Sequence, residues 1–87
     1  MNFTQSYYHI LEFLRKVDEL NTTAGKALRR VKVRIEGTRI DVWCCDELLA
    51  HRIYSITTNL RGNNYKIQIA VGGKPDVPDR VYQEHLL

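Results

Sequence analysis

Hydrophobic and polar residues change their period twice along this chain. From Phe3 to Leu20 the apolar positions Phe3, Tyr7, Ile10, Leu11, Leu14 and Val17 recur at helical spacing, while Glu12, Arg15, Lys16, Asp18 and Glu19 occupy the opposite side. That is the pattern of an amphipathic helix. Asn2 with Gln5 three residues later makes a capping-box-like start, and Asn21, Thr22, Thr23 and Gly25 supply residues that end helices. Phe13 and Leu20 are left over from this stripe and point to a further contact.

From Val31 the period is two. Val31, Val33 and Ile35 alternate with Lys32, Arg34 and Glu36, and Ile40, Val42 and Cys44 alternate with Arg39, Asp41, Trp43 and Cys45. Both runs read as strands. A two-residue turn at Gly37 and Thr38, with glycine where positive φ is needed, pairs Glu36 with Arg39, Ile35 with Ile40, Arg34 with Asp41, Val33 with Val42 and Lys32 with Trp43. Turn chemistry and face pattern then agree, because every pair is matched in character.

The stretch from Cys45 to His51 breaks the alternation and reads as one helical turn or a crossover loop with Leu48 and Leu49 buried. The density of β-branched residues from Arg52 to Asn59 favours a strand, with Tyr54, Ile56, Thr58 and Leu60 on one face. Arg61 to Asn64 then forms a tight turn, centred on Gly62-Asn63 or on Asn63-Asn64, into a strand with Tyr65, Ile67, Ile69 and Val71 inward. After a turn-rich linker, Asp76 can cap a last short helix with Pro78 in its first turn and Val77, Val81, Tyr82 and Leu86 along one side. The fold class expected is therefore α+β: an N-terminal amphipathic helix packed on a four-stranded antiparallel β-sheet, with a short C-terminal helix, in a single domain over residues 1–87.

Composition narrows the classes of function. Eighty-seven residues, 44% apolar and 26% charged, suit one folded domain rather than a disordered chain, and leave no room for a cleft between domains. The N-terminus lacks the charge and apolar pattern of a signal peptide, and no apolar run approaches the roughly 20 residues that span a bilayer. The expected setting is cytoplasmic. Cys44 and Cys45 are adjacent and point to opposite sides of a strand, so reduced thiols are expected.

A net charge of +3 favours anionic partners without requiring them. If the polar sheet face is open, it presents Arg30, Lys32, Arg34, Arg39, Trp43 and Cys45, joined by Thr57, Asn59, Lys66 and Gln68. Cations interleaved with an indole suit single-stranded nucleic acid, since phosphates pair with Arg and Lys and bases stack on the ring at about 1–3 kcal/mol each. Lys26, Arg29 and Arg30 lead into the same strand and extend the basic run. The competing reading is a solvated face in which Glu36 and Asp41 neutralise Arg39 and Arg34, with Lys32 lying against Trp43.

Other chemistry is weaker. Cys44, Cys45 and His51, even with Asp46, His9 or His85, do not converge as the four ligands of a structural zinc site must. Cys45 with His51 lacks an orienting third group and an evident oxyanion hole, and Gly72-Gly73 leads to Lys74-Pro75 rather than to a phosphate-binding helix. No enzyme activity, metal or cofactor is expected. Five tyrosines and one tryptophan raise the alternative of protein contacts, with Tyr8 and Tyr82 as exposed anchors.

The sequence is thus read as a small non-enzymatic binding or regulatory protein that contacts nucleic acid through Lys26, Arg29, Arg30, Lys32, Arg34, Arg39, Trp43 and Lys66. The alternative is a protein-binding inhibitor or adaptor acting by direct contact, as a single chain or as a homodimer. Size alone, and a start at Met1, give it the look of a complete accessory factor of a phage, plasmid or bacterium.

Overall fold

The computed structural model describes residues 3–23 and 31–87, without the side chains of 3–7 and 21–23. The capping pair at Asn2 and the basic residues Lys26, Arg29 and Arg30 lie outside the described residues. Helix α1 (Phe3–Thr23) is followed by strands β1 (Val31–Glu36) and β2 (Arg39–Cys44), helix α2 (Glu47–Ile56) with a 3-10 turn at Thr57–Leu60, and strands β3 (Lys66–Val71) and β4 (Arg80–Leu86). The four strands form one sheet in the order β1-β2-β3-β4. The α+β class stands.

The first hairpin has the register that its Gly37-Thr38 turn predicts, from Glu36 opposite Arg39 to Lys32 opposite Trp43. Gly37 has φ +58, in the left-handed region that glycine enters without strain. Beyond this hairpin the expectation of an antiparallel sheet fails. Strand β3 runs parallel to β2, with Ile40 beside Ile67 and Val42 beside Ile69, so the sheet is mixed. Parallel neighbours cannot be joined by a tight turn, and α2 supplies the crossover.

That helix occupies the stretch expected to be a strand. Asp46 caps it, its carboxylate accepting the Leu49 N–H at 2.8 Å. Leu49, Ala50 and Ile53 are buried, and Thr57 and Leu60 continue the same side through the 3-10 turn. Packing of this i, i+4, i+8 stripe on the sheet outweighs the strand propensity of the β-branched residues. Leu48 points to solvent at 65% exposure, and the expectation that it is buried with Leu49 does not hold. The Arg61–Asn64 segment leaves the 3-10 turn rather than closing a hairpin: the Asn63 side-chain amide donates to the Leu60 carbonyl at 3.0 Å.

The expected C-terminal helix is also replaced. Gly72 and Gly73, both at positive φ, reverse the chain, and a Cβ on Gly73 would lie 2.5 Å from the Val77 carbonyl oxygen. Strand β4 then pairs antiparallel with β3. A bulge leaves Tyr82 as an extra residue, because Ile69 pairs with Gln83 and Ala70 with Val81. Eleven residues make a marginal helix alone, whereas the free edge of β3 satisfies their backbone groups.

Helix α1 packs on α2 and the 3-10 turn rather than spreading over the strands. Ile10, Phe13 and Val17 enter the core with Ile40, Val42, Ile53, Leu60, Ile67 and Ile69. Phe13 is fully buried and Leu11 is 47% exposed, so the docked stripe is turned one position from the expected one. Both helices thus lie on one side of the sheet. Among the described residues no helix is long and apolar enough to cross a membrane.

Candidate binding face

With α2 against one side of the sheet, the alternation of each strand directs the other set of side chains to the opposite face. The strand registers place these in three rows. Lys32, Trp43, Ala70 and Val81 form the first, Arg34, Asp41, Gln68 and Glu84 the second, and Glu36, Arg39, Lys66 and Leu86 the third. The structure therefore brings Lys32, Arg34, Arg39, Trp43 and Lys66 together, as expected, and Gln68 with them.

Other expected members are elsewhere. Thr57 is buried, and Thr57 and Asn59 belong to the 3-10 turn after α2, where their side chains donate to the Tyr54 and Ile56 carbonyls. Cys45 follows β2, with its thiol 3.6 Å from the Asp46 carboxylate. Their places are taken by Ala70 and by Val81, Glu84 and Leu86 of β4. Sequence reasoning missed the β4 residues because the bulge interrupts the alternation that would have marked a strand.

The 72–79 loop rises beside the first row. The Trp43 indole N–H donates to the Gly72 carbonyl at 2.8 Å, which fixes the half-buried ring against the base of the loop. Between loop and sheet lies an open concavity of about 580 Å³, with Trp43, Gln68 and Ala70 on the sheet side and Pro75, Asp76 and Pro78 on the loop side. Lys32, Arg34, Arg39 and Asp41 line it as well, with Val33 and Val42.

Charge on this face is largely compensated. Arg34 pairs with Glu36, Arg39 with Asp41 at 3.1 Å and Lys66 with Glu84 at 3.4 Å. The first two pairs run along a strand rather than across the hairpin, linking residues two apart on the same face. The hydrogen bond that Arg39 donates to the Asp41 carboxylate raises the guanidinium above its ordinary pKa. Lys32 has no ion pair among the described residues.

The residues weighed for other chemistry are dispersed. Cys44 is buried, and burial pushes its thiol up to about 12. The His51 ring lies 3.2 Å from the Tyr82 hydroxyl, and His85 meets the Tyr54 ring, both across the α2–β4 joint. Arg80 and Glu47 close the same joint at 2.7 Å. Tyr82 is thus half-buried structure rather than an exposed anchor, whereas Tyr8 is 66% exposed. Among the described residues no three His, Cys, Asp or Glu side chains are grouped to hold a metal ion. Comparison with protein-family models, curated proteins and solved structures finds no match to this chain.

Proposed function

We propose that this chain is a non-enzymatic binding protein that holds a polypeptide partner on the sheet face opposite its two helices. The observation that carries the reading is the compensated charge of that face. Glu36, Asp41 and Glu84 answer Arg34, Arg39 and Lys66, and Asp76 lines the same concavity from the loop. A phosphate backbone gains most from uncompensated cations, whereas a protein partner gains from an apolar centre with a polar rim. Trp43, Ala70, Pro75 and Pro78 supply such a centre, and the ion pairs supply the rim.

A photo-crosslinking side chain at Gln68, inside the concavity, tests this, with Leu48 on the helix side as the control position. The expected result in cells is a discrete protease-sensitive, nuclease-resistant adduct at Gln68 that Trp43→Ala weakens. Adducts at Leu48 alone, or no dependence on Trp43, refute the reading.

A second reading, nucleic-acid binding, is favoured by Lys32, which has no ion pair among the described residues and lies in register with Trp43. Titration of Trp43 fluorescence with a short single-stranded oligonucleotide separates the two. Engagement of Lys32, Arg34, Arg39 and Lys66 by four phosphates gives a log–log salt slope of about −3, and Lys32→Ala/Arg34→Ala removes the quenching. A salt-independent signal excludes this reading.

A further inference from the structure

The outer edge of β1 is a regular six-residue ladder with no partner strand among the described residues. Its hydrogen-bonding phase follows from β2. The Thr38 and Cys44 carbonyls bond toward β3, accepting from the Lys66 and Gly72 N–H groups. Even-numbered residues of β2 therefore serve β3, and Arg39, Asp41 and Trp43 serve β1. Their partners Glu36, Arg34 and Lys32 bond inward, so the N–H and C=O groups of Val31, Val33 and Ile35 point outward.

We infer that this edge pairs antiparallel with β1 of a second copy, about a two-fold axis at Arg34. The pattern of the strand selects that register. Pairing must set outward-bonding residues against outward-bonding residues, which leaves shifts of two. A register centred on Val33 places Lys32 opposite Arg34 twice, and one centred on Ile35 runs into the Gly37-Thr38 turn. The register centred on Arg34 sets Val33 opposite Ile35 twice, with four main-chain hydrogen bonds. It also sets Lys32 opposite Glu36 twice.

Each Glu36 is shared between two cations in this arrangement, its own Arg34 at the axis and Lys32 of the other copy. The two Arg34 side chains meet there, but each is paired with its own Glu36. Each Lys32, without an acidic partner among the described residues, gains the Glu36 of the other copy. On the helix side Val33 and Ile35, which remain half-buried in one copy, cover one another. The opposite edge does not offer this: the bulge at Tyr82 interrupts the ladder of β4. The product is a continuous eight-stranded sheet with both Trp43 concavities on one face. This inference concerns the edge and does not depend on what the face binds.

Sedimentation of the full chain tests it. The expected species has twice the chain mass of 10.2 kDa. Val33→Pro removes an outward N–H while sparing the β1–β2 bonds, and is expected to halve the mass with the far-ultraviolet spectrum retained. Glu36→Lys, which opposes two lysines to two others and leaves Lys32 against Arg34 in the Val33-centred register, is expected to give monomer by charge alone. The exchange Lys32→Glu/Glu36→Lys is expected to restore the dimer. A wild-type chain that stays monomeric up to its solubility limit overturns the inference. So does a dimer that survives both single variants, or a charge exchange that fails to restore pairing.

Discussion

Phe13→Ala is the sharpest test of how α1 is held. The side chain is fully buried among residues of α2, the 3-10 turn and the sheet, although it fell outside the apolar stripe expected from spacing. A buried aromatic removes about 150–250 Å² from water, which at about 25 cal/mol per Å² is about 4–6 kcal/mol. Alanine keeps a small part of this, so the expected loss is about 3–5 kcal/mol. Domains of this size are stable by only about 4–13 kcal/mol, so the variant should lose a large part of its stability. Urea unfolding followed by Trp43 fluorescence gives the value, with Leu11→Ala, at a position 47% exposed, as the control. Leu11→Ala is expected to cost under about 0.5 kcal/mol, as surface changes usually do. A Phe13→Ala loss below about 1 kcal/mol, or equal losses in the two variants, would refute the docked orientation of α1.

Other consequences can be checked directly. Asp46→Ala removes the α2 cap and should cost about 0.5–2 kcal/mol in the same urea assay. Gly73→Ala, whose Cβ would meet the Val77 carbonyl, should destabilise the 72–79 loop more than Gly37→Ala, where the space is open; amide exchange of Lys74 and Val77 reads the difference. Cys44 should resist thiol reagents at neutral pH while the half-exposed Cys45 reacts, as mass spectrometry of labelled peptides will show. Because the Cys44 thiol titrates at about 12 folded against 9.0 as its ordinary value, the unfolded chain loses this proton first as pH rises. The contribution of Cys44 to stability is therefore complete below pH 9 and lost between pH 9 and 12. Urea midpoints across that range should fall more steeply for the wild type than for Cys44→Ala.

The β1–β2 hairpin was legible in full, because a two-residue turn and a period-two pattern are both local, and together they leave one register. The co-location of Lys32, Arg34, Arg39 and Trp43 followed from that register without further information. Helix α1 was legible from Phe3 to Leu20, three residues short of its end at Thr23, but not in rotation: Leu11 and Phe13 are equally apolar, and only the shape of the α2 surface chose Phe13. The signals for α2 were present as Asp46, Glu47 and the Leu49–Ile53–Leu60 spacing, but the β-branched residues around them argued for a strand.

What local pattern could not contain was the choice between competing partners. Whether Tyr54 to Leu60 form a strand or extend a helix depends on which segment claims the β3 edge, and β4, some twenty residues later, claims it. Once β4 is there, Glu84 stands beside Lys66 and Val81 beside Ala70, and the face acquires both its charge balance and its loop-walled concavity. The individual side chains and their chemistry are local properties of the chain. Their neighbours, and hence the sign and shape of the surface they make, arise from contacts between residues far apart in sequence, which only packing of the whole domain selects.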